Sequence, residues 1–242
     1  MISKGRIMAI HGRLAALAGA LLALAAFNAG PACAGALDLL SSRDASGGLR
    51  AALGQGIDAA VANLGATDGF LKNAKVTIPL PPALQKVEKG LRLIGRGDDA
   101  DELKAAMNHA AESAMAEAKP VLKQALQRMT LTDAKGILTG GEDAGTQYFQ
   151  RTTATTLTTK FKPIVARATA RLKIASLYDQ YAGKAASLGL VKNEDANLDD
   201  YVTARALSGL YTVMADEERA IRKDPLGQAS SLVKKVFGAL QK

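Results

Sequence analysis

The residues best suited to chemistry lie together near the end of one predicted helix, Leu198 to Lys223. With about 100° between successive residues, Glu218 falls within the apolar stripe of this helix, Glu217 lies on its flank, and Arg222 follows Glu218 by one turn. A buried carboxylate needs a partner, because without one its pKa rises until the group is neutral. We favour a structural role, namely a buried ion pair near the helix end or a carboxylate that is simply solvated there. The functional alternatives are a general acid or base, or an anion-sensing pair.

Two further polar residues could join this group if the fold brings them close. Asn108 flanks the apolar stripe of a helix predicted over 98–119, where its amide could bond a neighbouring helix or loop. Thr132 and Asp133 look like the N-cap of another helix. The candidate polar cluster therefore consists of Glu217, Glu218, Arg222, Asn108 and Asp133. As an enzyme site, it would serve a hydrolase or lyase that works through its carboxylates.

A threonine-rich stretch offers a second candidate site. Six of the eight residues from Thr152 to Thr159 are threonine, and β-branched residues favour strands. However, Tyr148, Thr152, Thr155 and Thr159 fall on one helical stripe, and the flanking segments are helical, so we predict a helix. Its threonines either form a packing face whose hydroxyls bond back to their own turn, which we favour, or, with Tyr148, line a pocket.

Metal-ligating and nucleophilic residues are scarce. The chain has one cysteine and two histidines, too few for a Cys/His metal site or a Cys–His nucleophile pair. His109 and Glu112 are three residues apart on one predicted helix and share a face with Glu102, but this set lies opposite the apolar stripe. We therefore interpret it as a solvated polar face rather than a metal site.

No G-x-S-x-G, phosphate-loop or dinucleotide-binding motif occurs in a suitable context. We predict no catalytic residue, no metal and no cofactor.

The first 34 residues have the features of a signal peptide. A basic start is followed by an uncharged apolar run over 14–27, which is too short to span a bilayer comfortably. Small residues on both sides of Cys33 indicate cleavage before Gly35, which would leave a periplasmic mature chain without cysteine. A lipid anchor on Cys33 is the alternative, disfavoured because Gly30 stands where lipoprotein signals carry a branched apolar residue.

The sequence after the signal peptide predicts mostly helices. Hydrophobic residues make up 48% of the sequence, enough for a packed core, and helical periodicity dominates from Gly48 onward. The exception is 76–82, whose prolines exclude helix. We predict an all-α fold after the signal peptide, namely a single helical domain over 35–242 with about seven to nine helices and one short Pro-rich extended segment. Predicted helices span 49–64, 82–94, 98–119, 121–129, 142–161, 163–183, 198–223 and 228–240, with a short one at Ile137.

Several ordered segments together resemble a bacterial exported family, domain-of-unknown-function family 4197. The matching segments are 68–71, 76–81, 107–112, 133–140, 146–149 and 217–225. The chain departs from the family pattern at His109, where the pattern has arginine, and at Gly145, where it has alanine. The resemblance implies a mostly helical, secreted or periplasmic domain, and it supplies no catalytic residue.

Charge and composition narrow the functions further. The formal net charge is +8, but part of the basic excess lies in the predicted signal peptide. Export also removes the usual reason to interpret a basic surface as a nucleic-acid site, so we predict no nucleic-acid partner. Aromatic residues are 4% and tryptophan is absent, so stacking platforms for nucleic acid or sugars are excluded. No later segment is apolar enough to span a membrane. We predict a non-enzymatic binding or envelope-associated module. The sequence does not identify its partner, for which an envelope component and an apolar ligand are the candidates. The alternatives are the hydrolase or lyase above, and an apolar-ligand carrier, which needs a connected cavity of several hundred Å³.

Overall fold

The computed structural model describes residues 42–93, 95, 97–170, 175, 178, 179, 197–225 and 231–239. Its helices are α1 (Ser42–Gly65), α2 (Pro82–Leu93), α3 (Gly97–Arg128), α4 (Leu131–Leu138), α5 (Ala144–Thr169), α6 (Leu198–Lys223) and α7 (Ser231–Ala239). These residues contain no β-strand, which confirms the all-α fold. The predicted signal peptide, its cleavage site and Cys33 lie outside the described residues, and the single domain and the helix count over the whole chain stay predictions.

Four long helices surround the core. α1 and α5 each pack against both α3 and α6, while α2 lies on α3, α4 bridges α1 and α5, and α7 packs on α1. The largest fully buried side chains include Phe149 and Phe161 from α5, Leu103 and Met107 from α3, and Ile57 from α1. Burial of this apolar surface is the main force that holds the helices together.

Two predicted helix breaks are wrong, because α3 continues through Pro120 and α5 continues through Pro163. In addition, α1 begins at Ser42, before its predicted start at residue 49. A proline inside a helix removes one backbone hydrogen bond and costs about 3 kcal/mol. Here both prolines lie on the exposed face. The helical residues beyond them bury Leu122 on α3 and Val165 on α5 completely. Burial on the far side of each proline therefore outweighs its local cost.

The start of α4 also differs from the prediction. Its N-cap is Thr130, not Thr132, and a capping box forms in which the Thr130 hydroxyl accepts the Asp133 N–H at 3.1 Å and Asp133 accepts the Thr130 N–H at 2.9 Å. The hydroxyl and N–H donors of Thr130 hold the pKa of the Asp133 carboxyl below its usual range. Asp133 is therefore committed to a helix terminus.

The extended segment lies where the prolines predict it, after the turn that follows α1. Val76, Ile78 and Leu80 are buried in alternation, as expected for extended backbone over a core. α6 comes close to this region at Gly209, where a Cβ atom would lie 2.7 Å from the ring of Phe70. Only glycine permits this approach without displacing the ring.

Candidate functional site

Glu218 reaches from α6 to the N-terminus of α5. Its Oε1 accepts the N–H of Gly145 at 2.9 Å, and its Oε2 accepts the N–H and the hydroxyl of Thr146 at 2.8 and 3.0 Å. The first N–H groups of a helix have no partner within the helix, and their partial positive charge favours a carboxylate. Asp143, at the N-cap position, makes no side-chain capping bond. Glu218 therefore caps α5 from another helix.

Arg222 completes this arrangement one turn further along α6. Its Nη2 lies 2.9 Å from Glu218 Oε1 and also donates to the carbonyl of Ile137, near the C-terminus of α4, at 2.9 Å. Its guanidinium stacks over the ring of Phe237 on α7, 5.6 Å from the centroid. A negative charge thus meets the start of α5 and a positive charge meets the end of α4. We call this pair the corner clamp, because it holds consecutive helices at their corner.

The corner clamp leaves Glu218 no acceptor capacity for a substrate. The side chain is only 5% exposed, and it accepts five hydrogen bonds, three from the α5 terminus and two from Arg222. A carboxylate offers about four lone-pair sites. Proton transfer to Glu218 would therefore require it to release bonds that hold the fold. Its neighbour Glu217 is half-buried and packs beside Gly56 of α1.

A small cavity adjoins Glu218 between α1, α5, α6 and α7. Its walls are mainly apolar, and it has room for about one water molecule. The lining residues include Leu53, Ile57, Phe149, Met214, Ile221 and Phe237, with Thr146 and Glu218 as the polar members. This space is far smaller than the several hundred Å³ that a carrier requires.

Glu112 forms a second buried carboxylate site, on α3. Its two oxygens accept the N–H groups of Asp68, Phe70 and Leu71 at 3.2, 3.1 and 3.3 Å. These groups belong to the turn after α1, in which Asp68 adopts a left-handed conformation with φ of 63°. Glu112 is 7% exposed, so its assignment to a solvated face was wrong. The turn packs over that side of α3, which the sequence of α3 alone does not reveal.

Asn108, which also lies on α3, holds the extended segment by hydrogen bonds to its backbone. Its Oδ1 accepts the Ile78 N–H at 2.8 Å, while its Nδ2 donates to the carbonyls of Ile78 and Lys104 at 2.9 and 2.8 Å. The amide pairs with Ile78 as a neighbouring strand would. Asn108 is fully buried and has its hydrogen-bonding groups satisfied.

The structure brings together only part of the candidate polar cluster. Glu218 and Arg222 form an ion pair and Glu217 lies beside them, whereas Asn108 and Asp133 serve the extended segment and the cap of α4. His109 is half exposed beside Asp68, with 3.5 Å between Nε2 and Oδ1. Within the described ranges, no group of three or more His, Cys, Asp or Glu side chains could hold a metal ion.

Comparison with known proteins shows which family the chain belongs to. A family model described as a protein of unknown function, DUF4197, matches residues 39–238. The chain belongs to this family. No curated protein and no solved structure matches it. The corner clamp, Glu112 and Asn108 of the DUF4197 protein all fall within the matched range. None of the helices in the described part of the chain has the length and hydropathy needed to cross a bilayer.

The threonine-rich stretch of the DUF4197 protein is helical, as predicted. Thr152 and Thr155 are exposed, and the Thr152 hydroxyl donates to the carbonyl of Tyr148 at 2.8 Å, back along its own helix. Tyr148 is buried, and its hydroxyl donates to the carbonyl of Ala125 at 3.0 Å. None of these three residues lines the cavity beside Glu218. The buried threonines of α5 are Thr146, which does line the cavity, Thr153, whose hydroxyl lies 2.9 Å from that of Tyr211, and Thr169.

In the DUF4197 protein, the surroundings of Asp199 disfavour the ionised form of its carboxyl group. Asp199, at the start of α6, is half-buried and accepts the Thr169 hydroxyl at 2.9 Å. Burial raises the pKa of the Asp199 carboxyl, and the nearby carboxylates of Asp179 and Asp200 raise it further, against the opposing effects of Thr169 and Lys162. The folded protein therefore binds a proton at Asp199 more tightly than the unfolded chain does.

We expect Asp199→Asn to become stabilising relative to wild type as the pH rises. A raised folded-state pKa makes the Asp199 contribution fully present below the unfolded pKa of about 4, and this contribution is lost as the pH rises through the folded-state value. Asparagine keeps an acceptor for Thr169 and lacks the titration. The difference in free energy of unfolding, variant minus wild type, should therefore grow with pH and then level off in urea titrations.

Asp216→Asn is the matched control on the same helix. Hydrogen bonds from Lys75 and then Arg219 lower the pKa of the Asp216 carboxyl, so its ionised form stabilises the fold, and that stabilisation is lost as the pH falls through the folded-state pKa. The variant-minus-wild-type difference should then run in the opposite direction. If Asp199→Asn gives a difference that is flat or falls with pH, the account of Asp199 is wrong.

Proposed function

We propose that this DUF4197 protein is an exported, periplasmic helical module that acts by binding, as an envelope-associated protein, and not by catalysis. The observation that carries the proposal is that hydrogen bonds within the protein already occupy the acceptor positions of the Glu218 carboxylate. In the buried pair of this cluster, Glu218 accepts hydrogen bonds from the first residues of α5, and Arg222 donates one to a carbonyl near the end of α4. Asn108 and Asp133 are likewise bonded to the backbone. A hydrolase or lyase built on these residues would have to break its own fold to work.

Export is supported by the sequence pattern of the first 34 residues. We expect the full chain, expressed in a bacterium with a C-terminal tag, to appear in the periplasmic fraction with Gly35 as its first residue. Intact mass spectrometry measures the N-terminus directly. A retained Met1 in the cytoplasmic fraction would overturn the export part of the proposal. A diacylated Cys33 would replace the soluble periplasmic form with a lipid-anchored one.

A further inference from the structure

Basic side chains cluster where α3 ends and α4 begins. Arg128 is the last residue of α3, while Lys135 and Arg151 lie on α4 and α5. All three side chains are exposed, and none of them forms an ion pair with a carboxylate in the part of the chain that the structure describes. Many other basic side chains do form such pairs, for example Lys160 with Glu117 at 2.7 Å. The charges near the start of α4 are therefore available to a partner.

Arg50 of α1 adds a half-buried cation to this cluster. Its Nη2 donates to the carbonyl of Met129, the residue after α3, at 2.5 Å, and its Nε is buried without an acceptor among the described atoms. The partial negative charge at the end of α3 explains why a cation is held there. No described carboxylate pairs with Arg50, and a carbonyl carries no net charge, so the positive charge stays uncompensated.

One carboxylate, Asp133, lies within the cluster and is used for the capping box of α4. Its Oδ2 accepts the N–H and the hydroxyl of Thr130 at 2.9 and 2.6 Å. Those hydrogen bonds, and to a smaller extent the charge of Arg151, hold the pKa of Asp133 below its usual range. Glu142 and Asp143 follow the other end of α4. Asp133 thus offsets one of the basic charges, and a positive excess remains.

An exposed leucine stands among these cations. Leu131, the first residue of α4, is 59% exposed, and Lys135 follows it by one turn on the same side of the helix. An apolar side chain flanked by long cationic ones suits a membrane interface, where leucine enters the acyl boundary and the charges reach the phosphate groups. We call the surface formed by Arg50, Arg128, Leu131, Lys135 and Arg151 the basic edge.

Among the described residues, the other large hydrophobic side chain that is exposed has different surroundings. Leu93, at the end of α2, is 88% exposed, but the neighbouring Arg92 pairs with Glu88 at 2.8 Å and with Asp101 at 2.6 Å. Asp98, in the first turn of α3, adds a further carboxylate. An anionic surface would therefore attract the basic edge and not the region around Leu93.

We infer that the basic edge docks on the surface of a bilayer that contains anionic phospholipids. The phosphate groups compensate the cations of the edge, and the side chain of Leu131 enters the boundary beneath them. The inference rests on the proposed envelope-associated function and names the partner for it. Attachment of this kind is peripheral and reversible, because one leucine and a few cations bind far less strongly than a spanning helix.

The test measures co-sedimentation of the purified protein with phosphatidylcholine vesicles, with and without about 30% phosphatidylglycerol. Salt is kept at about 0.1 M, where charges more than about 10 Å apart are largely screened. Every preparation must have the same N-terminus by intact mass spectrometry, so that a retained signal peptide would contribute equally to all. Wild type should bind the anionic vesicles at least about tenfold more tightly than the neutral ones.

Two variants remove the chemistry of the basic edge at exposed positions. Arg128→Gln combined with Lys135→Gln should weaken binding to anionic vesicles about twentyfold, because each cation near such a surface contributes about fivefold in affinity. Leu131→Ser should weaken it about fivefold, because one or two buried methylene equivalents are lost. Thermal unfolding followed by circular dichroism should match wild type in both cases.

Matched controls make the same chemical changes away from the start of α4. Lys89→Gln combined with Arg167→Gln removes one lysine and one arginine from exposed positions on α2 and near the end of α5. Leu93→Ser removes the other exposed leucine. Each control should change vesicle binding less than about twofold, since these positions lie more than a Debye length from the docked surface.

Equal binding of wild type to neutral and anionic vesicles would overturn the inference, as would equal losses in the edge variants and their controls. Release of the bound protein by millimolar glycerol phosphate would mean that the edge recognises a soluble phosphate group and not a bilayer. The cell fraction and the N-terminus are measured separately. A periplasmic protein that does not bind anionic vesicles would therefore refute the docking surface and leave the proposed export and absence of catalysis standing.

Discussion

Glu218→Gln is expected to lower the free energy of unfolding by about 3–5 kcal/mol. The substitution keeps the shape of the side chain but removes the negative charge that faces the Arg222 guanidinium, whose side chain is only 15% exposed. It also turns an NH₂ group toward donors at Gly145, Thr146 or Arg222, where the wild type has two oxygens. Urea unfolding of wild type and variant at neutral pH measures the loss.

Glu217→Gln is the matched control, since it makes the same chemical change at the neighbouring, half-buried position. Its effect should stay below about 1 kcal/mol, as for exposed charges. An active-site role for Glu218 predicts a different pattern, in which stability is kept or gained while an activity disappears. Equal small losses in both variants would mean that the corner clamp does not support the fold.

Glu112→Ala is expected to cost about 3 kcal/mol, because three backbone N–H groups of the turn after α1 lose their acceptor and a buried unsatisfied donor typically costs 1–3 kcal/mol. The loss should appear locally as well as globally. Amides of Phe70 and Leu71 should exchange with deuterium faster in the variant than in wild type, at matched overall stability, because the turn is no longer fastened to α3.

Glu117→Ala tests whether position on α3 alone explains the effect. Glu117 lies on the same helix, but it makes a partly exposed ion pair with Lys160 at 2.7 Å. Such pairs contribute about 0–1 kcal/mol, so this variant should unfold almost like wild type. If Glu112→Ala were equally mild, the turn would not depend on the carboxylate.

Local features of the fold were predictable from the sequence. The bounds of α6, the stripe position of Glu218 and its spacing from Arg222 all depend on residues within a few turns of one another, and the structure places them as predicted. The extended segment followed from its prolines for the same reason. The continuation of α3 and α5 through Pro120 and Pro163 did not, because burial beyond each proline depends on neighbouring helices.

The roles of the buried carboxylates could not be derived in this way. The backbone donors to Glu218 lie 72 and 73 residues away in the chain, and those to Glu112 lie 41 to 44 residues away. Helical periodicity states which face a residue occupies, but not which element covers that face. The one available signal for Glu112 was its spacing of four from Asn108, which places both on neighbouring turns of the same side of α3.

The coupling free energy between Glu218 and Arg222 tests the central claim, that this buried pair is a structural clamp, most directly. It follows from urea unfolding of wild type, Glu218→Gln, Arg222→Met and the double variant. The clamp predicts that the double variant loses less stability than the sum of the single losses, with a coupling of at least about 2 kcal/mol, because removing both charges leaves neither uncompensated. Additive losses, with a coupling near zero, would contradict the account.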